Sequence, residues 1–316
     1  MKYSRSIFTL LFIFSFSVTL LGNEWANYYF PDKFGSFWVY EDQNGNELTR
    51  YAVEEEEIDG ETYRAFNYEP QLEDWTKFDY FLHPYFYRVS EEWITFSIGE
   101  ECENAYEANF KKSMEGEKQK FLKEFQKQLP PELPISVDMN FTIDVEAQDN
   151  FYFLPTPANF NEEWTAMEIN IDITTEIELK SDNPAIQIQA PDQDHKMSIT
   201  LVETGIITGK ETVETEAGMF EDCLKIEFHL ETTTTNENEV PEEIRQQLSD
   251  QELEAIESAE EPKKSLTTVW LAPHVGIVKI TKEKNTEVEE QTDEVITFEL
   301  TEYEIKSDES EVNDDN

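Results

Sequence analysis

Positive charge is what this chain of 316 residues lacks most: 24 Lys and Arg stand against 70 Asp and Glu, a formal charge of −46. Such a surface repels phosphate backbones, which excludes nucleic acid as a partner, and anionic membrane surfaces are disfavoured on the same ground. Histidine is down to four residues, His83, His195, His229 and His274, each isolated in sequence. There is no G-x-S-x-G elbow, no H-E-x-x-H, no P-loop and no G-x-G-x-x-G, so the motifs that carry nucleophilic, zinc or nucleotide chemistry are missing. No catalytic residue, metal set or cofactor emerges, and the chain reads as non-enzymatic. The apolar run at the N-terminus, Ile7 to Leu21, falls short of the roughly 20 residues a spanning helix needs.

What that run does have is the layout of a secretory signal: Lys2 and Arg5, then apolar residues, then Gly22. Residues 1–22 are expected to be a signal peptide and the protein exported, to a periplasm or outside the cell; an uncleaved N-terminal anchor is the alternative. Leu20-Leu21-Gly22-Asn23 approaches a lipoprotein signal, but Asn23 stands where the acylated cysteine belongs, so no stable membrane anchor is expected. Cleavage takes away two positive charges and no acid, moving the formal charge from −46 to −48. The acids are spread along the chain, with local concentrations at Glu54–Glu57 and in the tail 307–316. Spread in this way they describe a solvated, self-repelling surface, and loose divalent-cation binding is a second use for them. Aromatic residues at 13% supply material for a core.

Strand signals dominate the remainder. Ile135, Val137, Met139, Phe141, Ile143 and Val145 alternate with polar residues, as do Met167, Ile169, Ile171, Ile173, Ile177 and Leu179, and again Leu224, Ile226, Phe228 and Leu230. Period two places one set on a dry face and the other in water, the mark of antiparallel sheet. Two stretches depart from it. Phe110, Met114, Phe121, Leu122, Phe125 and Leu129 predict an amphipathic helix over about 104–129, ended by Pro130-Pro131. Ile244, Leu248, Leu253 and Ile256 predict a second helical segment over about 241–260, either a lid over a sheet's dry side or an exposed spacer. The fold class is therefore mainly β (α+β): duplicated antiparallel half-barrel-like sheets, each with an amphipathic helical segment. Residues 23–148 and 149–306 are the expected domains, followed by an acidic disordered tail over 307–316.

An internal duplication supports that division. Tyr28-Tyr29-Phe30-Pro31 leads to Gly35 and Trp38, and Phe151-Tyr152-Phe153-Leu154-Pro155 leads to Trp164; chance similarity between β proteins is the alternative. Gly218 marks a tight turn in one C-terminal hairpin, and Pro273 with Gly276 brackets another after Trp270. Trp38, Trp164 and Trp270 are apolar anchors for the end of a core, or a stacking platform for a ligand. Cys102 and Cys223 form one disulfide or remain two thiols. The parity of Cys223 with Lys225 and Glu227 turns it away from the dry face, which favours bonding.

The Phe-Pro-x-x-x-Gly-x-x-Trp opening at Phe30–Trp38, the segment Ala217–Leu224 and the segment Trp270–Gly276 resemble motifs of uncharacterised bacterial exported β-rich proteins. Those are similar in turn to the periplasmic half-barrel group that includes LolA and LppX. The resemblance implies a concave sheet able to carry an acyl chain or a lipoprotein. It transfers no ligand-binding residue, since the matching motifs are turns and strands. The expected function is binding or carriage of an apolar ligand or a partner segment. A surface-interaction scaffold with loose cation binding is the alternative, and a hydrolase built from dispersed carboxylates is a third reading.

Overall fold

The computed structural model describes residues 28, 30–31, 33–58, 60–128, 135–181, 195–236, 262–283 and 295–306. The signal segment, the helical segment expected over 241–260 and the tail lie outside the described residues. Strands alternate with tight turns: β1 Phe37–Asp42, β2 Glu47–Ala52, β3 Glu56–Ile58, β4 Glu61–Glu69, β5 Phe86–Val89 and β6 Trp93–Ser97. Helix α1, Gly99–Gln128, follows, then β7 Ile135–Ala147, β8 Asn150–Pro155 and β9 Glu163–Ser181. The chain continues through β10 His195–Thr215, β11 Gly218–Asn236, β12 Lys263–Ala272, β13 Gly276–Glu283 and β14 Val295–Glu304. The protein is thus mainly β, and all of the described pairings between these strands are antiparallel.

The strands form one sheet in the order β7-β9-β10-β11-β12-β13-β14-β1-β2-β4-β5-β6-β8, with β3 attached to β4 alone. It runs unbroken across residue 148: β6 pairs with β8, β7 with β9, and β14 with β1. Strands β7 and β8 stand at opposite ends of this order, yet only Gln148 and Asp149 separate them in the chain. The sheet therefore curls almost into a ring, and it stays open because its two end strands do not pair. Along the seam Trp164 Nε1 donates to Tyr152 O at 2.8 Å. The indole lies so close to Gly205 that a methyl there would come within 2.4 Å of the ring.

The alternating residues behave as their period requires. Ile169, Ile171 and Ile173 are buried between exposed Glu168, Asn170 and Asp172, and Leu201, Gly205 and Ile207 are buried between half-buried Val202, Thr204 and Ile206 on β10. The inside of the curl is one continuous core. Its N-terminal part is aromatic, Phe30, Trp38, Tyr40, Phe66, Tyr87 and Phe96; aliphatic residues of β9 to β13 fill the remainder. Removing such large side chains from water is the main source of stability, at roughly 25 cal/mol per Å².

The connection between β4 and β5 has no strand period and turns inward. Phe81 is fully buried, its ring 5.3 Å from that of Phe151 and 5.0 Å from that of Phe228. This plug occupies space that the sequence reading assigned to an open concave face. Arg50 holds it, donating from one guanidinium nitrogen to Phe81 O at 3.0 Å and Leu82 O at 3.1 Å.

Helix α1 starts at Gly99, where the amides of Ile98 and Gly99 donate to Asp149 O at 3.0 and 3.3 Å. Its first half is the packed half: Cys102 and Ala105 are buried, and Tyr106, Phe110 and Met114 rest on the core. Beyond Met114 most described positions are exposed.

Candidate functional site

A cleft of about 550 Å³ opens between the first turns of α1 and the inner face of the sheet. From α1 come Cys102, Ala105, Tyr106 and Asn109; from the plug come Phe78, Asp79 and Tyr80. Strands β10 to β14 contribute Glu203, Leu230, Lys282 and Ile296 among others, with Lys263, Lys264 and Glu283. The walls are thus largely apolar and the floor charged.

Glu203 defines the floor. It occupies an inward position of β10 between Leu201 and Gly205, only 1% exposed, and its Oε2 accepts a hydrogen bond from the Tyr80 hydroxyl. Burial pushes its carboxyl up to about 7, against the hydrogen bond from Tyr80 and the nearby Lys282 ammonium. Burial, with Glu203 beside it, also raises the Tyr80 hydroxyl well above its ordinary value.

Asp79 behaves oppositely although it too is buried. Burial alone would raise it, but the Lys282 ammonium, which forms an ion pair with it, and His83 outweigh that and hold it below the usual carboxylate range. Lys282 also lies over the rings of Tyr80 and Phe81, at 5.7 and 5.2 Å. Burial lowers His83 despite the neighbouring Asp79; its Nδ1 accepts from the Asp79 amide at 3.2 Å. Two acids of different protonation habit therefore share one cleft.

Behind the plug, the guanidinium of Arg50 is enclosed by Phe30, Tyr40, Phe66 and Tyr68, all within 5.1–5.8 Å of its central carbon. Among the described residues its Nε and other terminal nitrogen have no hydrogen-bond partner. Through the Phe81 and Leu82 carbonyls it fixes the segment that presents Asp79 and Tyr80.

Of the cysteines and the turn and anchor residues singled out from sequence, Cys102 alone lines the cleft. Trp38 is buried and donates from Nε1 to Val275 O at 2.8 Å. It thereby pins the turn containing Pro273, whose following Gly276 has φ +102° and backs onto Phe30. Trp164 lies on Gly205 at the seam. Trp270 is half-buried, donates to Glu211 and sits under Lys279. Gly218 has φ +136° and closes the β10–β11 hairpin.

The two cysteines are not bonded to each other: both are free and buried. Cys102 Sγ lies 4.0 Å from Met167 Sδ, while Cys223 is 3.4 Å from Phe220 O. The expected outward orientation of Cys223 fails because the strand bulges there. Asp222 has φ +56°, the register with β10 shifts, and Cys223 and Leu224 are both buried in succession.

Among the described residues no group of three or more His, Cys, Asp and Glu side chains is placed to hold a metal ion. No helix among them is long and apolar enough to cross a membrane.

Fold and cleft together define a class of object: a curled, single-sheet β protein with a helix-lidded cleft. No protein-family model matches the chain, and no curated protein matches it. Among solved structures it is similar to a candidate lipoprotein from Parabacteroides distasonis ATCC 8503, 13% identical, covering 88% of this chain and 99% of that one, with a TM-score of 0.34. It is likewise similar to a candidate exported protein with a YmcC-like fold from Bacteroides fragilis NCTC 9343. There the identity is 13%, the cover 88% and 100%, and the TM-score 0.36.

Proposed function

We propose that this is an exported, non-enzymatic binding protein or carrier that holds an amphipathic ligand in the cleft under α1. The cleft carries the reading. Its volume of about 550 Å³ falls within the roughly 300–1,000 Å³ of small-molecule sites, which pair apolar walls with a few placed polar groups. Phe78, Tyr106, Leu230 and Ile296 supply the walls, and Asp79, Lys282 and Glu203 the polar floor. An apolar ligand or partner segment, the sequence expectation, would leave one carboxylate oxygen of Glu203 without a partner. Export is supported by the layout of residues 1–22.

Titration with the uncharged fluorophore N-phenyl-1-naphthylamine tests this. Asn109 is exposed and lines the cleft, so Asn109→Trp fills the opening without disturbing the core. Saturable binding to one site, weakened about tenfold or more in that variant, is the expected result. Equal binding by both proteins would remove the cleft from the account.

Hydrolysis by two carboxyl groups is a second reading with one observation in its favour. Asp79 is held low and Glu203 is raised to about 7 within one cleft, and such divergence is how acid and base roles are divided. Turnover of chromogenic glycosides or esters that is lost in both Asp79→Asn and Glu203→Gln would favour it over binding.

A further inference from the structure

Three lysines, Lys263, Lys264 and Lys282, and three acids, Asp79, Glu203 and Glu283, line the cleft, but they are unevenly paired. Lys282 is answered by Asp79, with which it pairs, and its ammonium rests on two aromatic rings. Lys264, at the rim, pairs with Glu231 at 3.0 Å. Glu203 has only the neutral Tyr80 hydroxyl, bound at Oε2; among the described residues its Oε1 accepts no hydrogen bond. The neighbours that face it are Asp79 and Tyr80 from the plug, Cys102 and Tyr106 from α1, and Lys282 from β13. The residues opposite it on the adjoining strands, Met167 and Leu230, are apolar. A carboxylate so enclosed has lost most of its water and shares its one nearby cation, Lys282, with Asp79, which is costly unless it is protonated or a ligand supplies the charge.

We propose that the cleft recognises an amphipathic amine, its ammonium group against Glu203 Oε1 and its apolar tail along Tyr106, Leu230 and Ile296. The inference rests on the cleft being a binding site and adds the chemical class of the ligand. A charge-assisted hydrogen bond from an ammonium to a desolvated carboxylate is among the stronger polar contacts available. The field of a chain with net charge −46 concentrates cations near its surface. The raised carboxyl fits this assignment: near neutral pH Glu203 gives up its proton when the ammonium arrives, and the proton leaves to solvent. His83, the other group near neutrality, is kept low by burial and contacts Asp79 rather than Glu203.

Calorimetric titration with dodecylammonium, dodecanoate and dodecanol, three head groups on one tail and all below their micelle concentrations, tests the assignment. The amine is expected to bind about tenfold or more tightly than the alcohol at pH 8. Its affinity is expected to fall about tenfold between pH 8 and pH 6, as Glu203 takes up a proton. Glu203→Gln removes both the preference and the pH slope. Should that variant not fold, head-group preference and pH profile of the unaltered protein decide alone. Alcohol or dodecanoate binding as tightly as the amine, or amine binding that is flat with pH, overturns the amine assignment and leaves the cleft intact. If none of the three binds, or Asn109→Trp leaves all of them unaffected, the cleft reading itself falls.

Discussion

Arg50 and Glu203 occupy inward positions of their strands, where the pattern calls for an apolar side chain. Leu48, Arg50 and Ala52 share one buried face, as do Leu201, Glu203 and Gly205. Reading parity strand by strand would have found both, because a charge on the dry side of an alternating strand stands out. What parity could not supply was the partner, which comes from the plug in each case. Replacing Arg50 with Ala removes two carbonyl bonds and the filler of an aromatic box, and is expected to cost about 3 kcal/mol. Arg50→Met keeps most of the volume and discards two unpartnered N–H groups, so it is expected to cost about 1 kcal/mol; urea denaturation compares the two. For Glu203 the sign runs against the usual carboxylate. Its folded value lies above the ordinary 4.5, so its contribution is fully present below pH 4.5 and is lost as pH rises through about 7. Glu203→Gln is therefore expected to gain about 3 kcal/mol on the unaltered protein between pH 4.5 and pH 8, read from urea midpoints at both ends. Asp79, held low, acts oppositely and loses its contribution only in stronger acid.

Elements with a clear period were the most legible. The strands around residues 135–145, 167–179 and 224–230 appear as β7, β9 and β11. Helix α1 begins five residues before the expected start at 104, because Gly99–Glu103 carries three acids and a single buried residue, Cys102, and adds little to the apolar stripe. Glu100 and Glu101 instead suit the positive end of the helix dipole. The plug left no period to read: its residues bury through turns, and Phe81 and Leu82 point inward without repeat. Turn chemistry was legible from single residues, but the reason for one of them was not. At Gly276 the backbone φ is +102°, and a β-carbon would meet the Phe30 ring at 2.8 Å. Gly276→Ala combines backbone strain with a steric clash, so it is expected to cost about 2–3 kcal/mol. Thermal melting followed by near-ultraviolet circular dichroism checks this, since the Phe30 and Trp38 environment loosens with it.

At the scale of the whole molecule, a strand from the last described segment, β14, sits between β13 and β1. No cut through the sequence separates two self-sufficient sheets, which is why a reading based on repeats, with similar residues found far apart, could not see the sheet's continuity. A formal charge of −46 works against this compact state through self-repulsion. Raising ionic strength from about 10 to 150 mM shortens the screening length from about 30 to 8 Å. The midpoint of unfolding is accordingly expected to rise over that range, and calorimetry is expected to show a single transition throughout. The seam between β7 and β8 has a further consequence. Ser36 Oγ accepts from the Lys306 amide at 3.0 Å, and Phe37 pairs with Glu304, so the start of β1 and the end of β14 meet at one place on the sheet. Joining those two points and opening the chain between Gln148 and Asp149 gives a circular permutant that starts at one margin of the sheet and finishes at the other. In that order β9 to β14 and then β1 to β6 become one uninterrupted meander, in which each strand except the β3 branch lies beside its successor. Only β7 and β8 depart from this layout, each lying at the margin opposite its neighbour in the chain.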